Sequence, residues 1–271
     1  MRIILTATLI AFSCSGQVFE VASIKASPPS DGRGMRVSSN GGPGTPNPGL
    51  YTCENCTLSL LVITAYDIRR YQLAGADSLN ADRFVVSAKV PPGTTKEDFR
   101  IMQQNLLAER FKLKIHRDKK EMQVYELVVA KNGPKFKESA AVPAEPPPFT
   151  PGPAKLDSKG YPMLPPGLTG TIMESGKARW QGHQQSMSQL ANMLSNQLGK
   201  PVTDVTGLNG KYDLALTWSA EGMRGTDGTD LAFGPTLVDA IPDQLGLKLD
   251  QKKALVDIVV VDHADKNPTE N

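Results

Sequence analysis

The chain has 271 residues, 39% of them apolar and 21% charged, and its 30 basic side chains stand against 28 acidic ones for a net charge of +2. That balance excludes a disordered or collagen-like chain and leaves no electrostatic footprint for nucleic acid or an anionic membrane surface. At roughly 100 to 150 residues per domain, the length supports one large core or two small ones.

Met1-Arg2 supplies a positive start, Ile3 to Phe12 is apolar, and Ser13-Cys14-Ser15-Gly16 is a small-residue region suited to cleavage before Gln17. The apolar run is too short to cross a bilayer, which takes about 20 helical residues, so residues 1–16 read as a removed export signal. The mature chain is then expected in the periplasm or outside the cell, without a transmembrane segment. Cys14 follows Ala11-Phe12-Ser13, a weak lipobox, so a lipid anchor on Cys14 is the alternative.

Residues 17–49 hold a strand, Phe19-Glu20-Val21-Ala22-Ser23-Ile24-Lys25, and then a loop rich in Pro, Gly, Ser and Asn from Ala26 to Gly49. Residues 50–134 read as a first module. Leu50-Tyr51-Thr52 leads through Cys53-Glu54-Asn55-Cys56 into a helix with Leu58, Leu61, Val62 and Ala65 on one stripe and Thr57 as its cap. Two thiols at this spacing in an oxidising compartment predict a local Cys53–Cys56 disulfide. A redox role needs a thiolate at a helix N-terminus, which Thr57-Leu58 resembles, but the βαβ context of thioredoxins is missing. Zinc needs two further ligands, and the sequence offers no second CxxC or close His pair.

A strand over residues 84–90 follows, then a second helix opened by a capping box, Thr94-x-x-Glu97, that buries Phe99, Met102 and Leu106. Phe111 to His116 and Val124 to Ala130 read as a closing pair of strands. Between them Arg117, Lys119 and Lys120 alternate with Asp118 and Glu121, as expected of a solvated hairpin.

Residues 135–169 are a proline-rich linker, residues 170–264 a second module and residues 265–271 a tail. In the second module Met187, Leu190, Ala191 and Leu194 form the stripe of a helix capped by Ser186 and ended by Gly199. Asn209-Gly210 predicts a hairpin joining Pro201–Val205 to Tyr212–Trp218. Residues 219–234 carry four glycines and read as a long loop. A last helix from Thr236 to Leu245 buries Leu237, Val238, Ile241 and Leu245, is expected to kink at Pro242, and stops at Gly246. Leu247–Leu249 and Val256–Val261 form the second closing pair.

Tyr51 and Trp180, Thr57 and Ser186, Leu58 and Met187, and Leu61 and Leu190 are each 129 positions apart. That common offset, with the same order of elements in each half, predicts tandem copies of one unit. The fold class expected is α+β: two related modules, each of two helices packed on a small, largely antiparallel sheet.

The strand at Phe19–Lys25, Leu106-Leu107-Ala108-Glu109-Arg110-Phe111-Lys112-Leu113-Lys114 with His116, Leu127-Val128-Val129-Ala130-Lys131-Asn132-Gly133-Pro134, Thr206-Gly207-Leu208-Asn209-Gly210-Lys211-Tyr212 and Gln244-Leu245-Gly246-Leu247-Lys248-Leu249 together resemble an expanded acidobacterial family of exported proteins of unknown function. The resemblance spans nearly all the mature chain. It implies a signal peptide and this architecture, and in some relatives fusion to an antirepressor-type membrane metallopeptidase. It brings no catalytic residue with it. Residues Ser188 to Val261 are also similar in pattern to the short N-terminal domain of secretins and TonB-dependent receptors, which implies a small periplasmic docking module.

His116, His183 and His263 are the only histidines, and none lies in HExxH. GxSxG is absent, and Gly207-Leu208-Asn209-Gly210-Lys211 lacks the spacing and context of a phosphate loop. The expectation is therefore no catalytic residue, no cofactor and no metal ligand. It is an exported interaction module that presents sheet edges or a groove to a protein or cell-envelope partner. A secreted hydrolase or peptidase-associated sensor with a site assembled from distant residues is the first alternative, and a thiol-disulfide role for Cys53 and Cys56 the second.

Overall fold

The computed structural model describes residues 18–28, 37–75, 77–140, 155–164, 168–219 and 234–269. Residues 1–17, where the export signal is expected, about half of the proline-rich linker, and residues 220–233, expected as a glycine-rich loop, lie outside the described residues. Contacts divide the chain into two compact units, Met1–Lys120 with Val256–Asn271, and Glu121–Leu255.

In the first unit come β1 (Val21–Ala26), β2 (Ser38–Gly41), β3 (Leu50–Thr57), α1 (Leu58–Tyr66), β4 (Leu73–Ala74), β5 (Arg83–Lys89), α2 (Lys96–Phe111) and the start of β6 (Lys114–Val129). Strands are antiparallel in the order β1-β5-β3-β2, so the N-terminal strand is an edge strand on β5. The loop expected over Ala26–Gly49 contains β2, which its Gly and Ser content hid. Thr57 caps α1 by accepting from the Leu60 N–H. The cap of α2 is Thr95, one residue later than the sequence predicts: its Oγ1 accepts from the Asp98 N–H while Thr94 donates to the Pro91 carbonyl. The core is the apolar stripe of both helices against one sheet face, centred on the fully buried Phe111, edge-on to Phe84 at 5.0 Å.

The second unit holds the end of β6, β7 (Lys155–Leu156), β8 (Pro162–Met163), β9 (Gly170–Glu174), β10 (Lys177–Gln185), α3 (Met187–Leu198), β11 (Val202–Asp204), β12 (Tyr212–Ser219), α4 (Leu237–Leu245) and the start of β13 (Leu247–His263). Its sheet has the order β12-β10-β9. Ser186 caps α3 in a full capping box with Gln189, and Gly199 ends it in the left-handed region. Helix α4 is capped by Thr236 and continues across Pro242 to Gly246. Leu237, Ile241 and Leu245 are buried as expected, but Val238, in the first turn at the edge of the stripe, is 41% exposed.

The two closing hairpins are absent. Each is one unbroken strand of 16 and 17 residues, because neither Arg117–Gln123 nor Asp250–Leu255 contains a Gly, Pro or Asn to turn the chain. Two of the charges that suggested a solvated turn have cross-strand partners instead, Lys119 with Asp257 at 3.8 Å in the first unit and Glu121 with Lys253 at 3.3 Å in the second, and His116 with Asp262 at 2.8 Å and Glu126 with Lys252 at 2.6 Å extend the series. Nor does Asn209-Gly210 join a hairpin. β11 pairs in parallel with β6, Val202 opposite Tyr125, and β4 pairs in parallel with β13, Leu73 opposite Val259. The short strand of each half is therefore completed by the closing strand of the other half.

The same ladder is built twice. In the first unit Tyr51 pairs with Ala88, Thr52 with Ser87, Cys53 with Val86 and Cys56 with Phe84. In the second, Trp180 pairs with Leu216, Gln181 with Ala215, Gly182 with Leu214 and Gln185 with Tyr212. Both have an irregularity at the same step, Cys53/Cys56 and Gly182/Gln185. The result is an α+β protein, with four α-helices on small, mainly antiparallel sheets among the described residues.

Candidate functional site

The Cys53-Glu54-Asn55-Cys56 segment is a bulge of β3 that runs directly into Thr57, the N-cap of α1. Asn55 takes φ +55°, and the Cys53 and Cys56 side chains fold under it with Cα atoms 5.9 Å apart and sulfurs at disulfide distance. They are 1% and 0% exposed. A thiol-exchange site needs an accessible sulfur, so this geometry suits a staple across a bulge.

Each histidine has an aspartate partner. Nδ1 of His116 lies 2.8 Å from Asp262, Nδ1 of His183 3.4 Å from Asp213, and Nε2 of His263 3.1 Å from Asp265. His183 is the most enclosed of these, and Asp213 also accepts from Ser139 Oγ at 2.7 Å. In that trio the carboxylate stands between the hydroxyl and the imidazole, whereas a serine nucleophile needs the imidazole in the middle. The Gln184 N–H, then the Ser139 hydroxyl and His183, hold the Asp213 carboxyl below the ordinary aspartate range against the opposing effect of burial. Asp157 is likewise lowered, first by the Tyr161 N–H and then by the Lys159 N–H and Arg179. These carboxylates fix loops. Among the described residues, three or more His, Cys, Asp or Glu side chains nowhere gather at metal-binding distance. No helix in the described residues is long and apolar enough to cross a membrane.

The Gly207–Lys211 segment is a turn. Asp204 Oδ1 accepts from the Thr206 N–H and hydroxyl, and the Gly210 N–H donates to the Tyr212 hydroxyl at 3.1 Å.

What remains is an edge and a groove. β1 is paired with β5 on one side, and no described strand pairs with the other. The Ser27 N–H donates to the Arg83 carbonyl, so in an antiparallel ladder the odd residues of β1 bond to β5 and the even ones, Ala22, Ile24 and Ala26, aim their peptide groups outward. Beside that edge lies an open groove of about 470 Å³, lined by Val18 to Ala22 and, from α2, by Met102, Asn105, Leu106, Glu109 and Arg110. Val18 and Val21 are 63% and 67% exposed at its rim. Sequence reasoning named sheet edges as the interaction surface but missed this groove, because α2 meets β1 only in three dimensions.

Fold and site together define a two-unit α+β protein with an exposed strand edge and no assembled acid, base or metal set among the described residues. Residues 59–264 match the family described as protein of unknown function (DUF3738), and the chain belongs to that family. No curated protein matches it, and no solved structure does.

Proposed function

We propose that this chain is an exported, noncatalytic docking module that binds an extended segment of a secreted or cell-envelope protein along β1. The observation that supports this reading is the unpaired β1 edge beside the α2 groove. An added strand would exchange main-chain hydrogen bonds with Ala22 and Ile24 while alternate side chains enter the groove. Export gives the Cys53–Cys56 pair an oxidising compartment in which to close as a structural bridge. The matched ladders support descent of the two halves from one duplicated unit.

A peptide-display selection on the purified chain tests the reading. Enriched peptides should bind the wild type and lose binding to Ala22→Pro, which removes one outward N–H while sparing the β1–β5 bonds. Enriched peptides that bind Ala22→Pro unchanged would contradict it. Export is tested by fractionation of cells that express the chain with and without residues 1–16.

A further inference from the structure

The end of α2 is capped by residues far away in the sequence. The last four carbonyls of an α-helix have no donor within it. In α2 the Lys112 N–H turns back to Leu107 O, and Lys112 Nζ donates to Glu109 O at 2.9 Å. The carbonyls of Arg110 and Phe111 are answered from the other end of the chain: the Thr269 N–H donates to Arg110 O at 2.8 Å, and the Asp265 N–H to Phe111 O at 2.7 Å. The Thr269 hydroxyl adds a bond to Glu109 O at 3.5 Å. The residues expected as a tail are therefore a strap across the C-terminus of α2, within the first unit.

Thr269 is tied to Arg110 in both directions, because Arg110 Nη1 also donates to Thr269 O, at 3.4 Å. The Arg110 side chain is 14% exposed, with its Nε 3.5 Å from the Glu109 carboxylate. Glu109 and Arg110 are the last of the α2 residues that line the groove beside β1, after Met102, Asn105 and Leu106. The root of the strap is fixed: Ala264 packs against the core of the unit, and the Asp265 carboxylate lies 3.1 Å from His263 Nε2. Its far end is held at Thr269, on the two residues that the groove shares.

We propose that the strap Ala264–Thr269 regulates the docking site, an inference that rests on the reading of β1 as a docking edge. Docked, the strap holds the last turn of α2 in place as a wall of the groove. Released at Thr269, it leaves Arg110 O without its donor and frees the Arg110 side chain, so that the turn frays and the groove loses its wall. Thr269 is thus a positioning residue that acts through Arg110. A few main-chain bonds contribute little net stability beside a buried core, so the far end of the strap can open while the unit stays folded. A segment bound in the groove and the docked strap then favour each other, and by linkage the factor is the same in both directions.

The probes are display-selected peptides whose binding is lost in Ala22→Pro, titrated into the full chain. Thr269→Pro lacks both the N–H and the hydroxyl and should bind them about tenfold more weakly than the wild type. Thr269→Ala keeps the N–H and should bind as the wild type does. If Thr269→Pro fails to fold, a chain ending at Lys266 takes its place with the same expectation. A merely structural cap would lower the melting temperature and do no more, so the second readout is hydrogen exchange at the Thr269 amide of the wild type. Saturating peptide should slow that exchange by the same factor of about ten. The proposal is overturned, and the docking reading stands, if Thr269→Pro binds as tightly as Thr269→Ala or if bound peptide leaves the Thr269 exchange unchanged. A selection that yields no peptide dependent on Ala22 overturns both.

Discussion

Asn55 and Gln184 hold the same place in two sheets. Each is a non-glycine residue in the left-handed region, at φ +55° and +49°, inside a bulge that ends at a helix cap, Thr57 in one case and Ser186 in the other. The first bulge brings Cys53 and Cys56 together, whereas in the second Gln185 Nε2 donates to His183 O at 2.7 Å. A bulge re-aims the strand into the helix, and the two units fix it with different chemistry.

The bridge should act as a modest staple. Closing so short a loop contributes about 2 kcal/mol through the entropy of the unfolded chain. The double variant Cys53→Ser/Cys56→Ser should lose about that much in chemical denaturation, and the unreduced chain without residues 1–16, and so without Cys14, should show no thiol reactive toward a disulfide reagent. A rapidly titrating thiol would point to redox work instead.

Gly199 and Gly246 separate backbone strain from steric collision. Both end helices at positive φ, 61° and 65°, but a Cβ at Gly199 meets nothing within 4 Å, whereas at Gly246 it would strike the Gly133 carbonyl. Gly199→Ala should cost about 1 kcal/mol, and Gly246→Ala about 2 to 4 kcal/mol. Equal losses would show that the Gly133 turn yields.

The helix caps should be worth similar amounts in the two units. Thr57→Ala and Ser186→Ala each remove an acceptor from an N-terminal N–H and should each lower stability by about 1 kcal/mol, read from thermal melting. Ser186 also belongs to a capping box and should be the more costly of the two.

Acid should loosen the second unit. Asp157 and Asp213, both there, have folded-state carboxyls held below the ordinary aspartate value. A depressed carboxylate contributes stability that is full above its unfolded pKa of about 3.9 and is lost as pH falls through the lower folded value. Tryptophan emission should therefore begin to change below about pH 4, and Asp213→Asn should flatten that transition.

Much of this architecture can be read along the chain, because helix stripes, caps and the common offset between halves are local signals. Leu58, Leu61, Val62 and Ala65 state their period directly, as do Met187, Leu190, Ala191 and Leu194. The errors share one cause, partners distant in sequence. Val202–Asp204 carries nothing that says it joins β6 in parallel instead of turning back on β12. The runs Arg117–Gln123 and Asp250–Leu255 look solvated because the partners of Lys119, Glu121 and Lys252, which are Asp257, Lys253 and Glu126, lie on the other long strand. The β1 edge depends on what a sheet lacks, which no local pattern records.

The reciprocal use of the closing strands sets an order of events in biogenesis. Val259 and Val260, which complete the β4 ladder of the first unit, are translated some 185 residues after their partners Leu73 and Ala74. A nascent chain lacking them carries an unfinished N-terminal half, whatever its local propensities, so that half is completed only after the second has been translated. Premature termination anywhere before Val256 would damage both ends of the molecule at once.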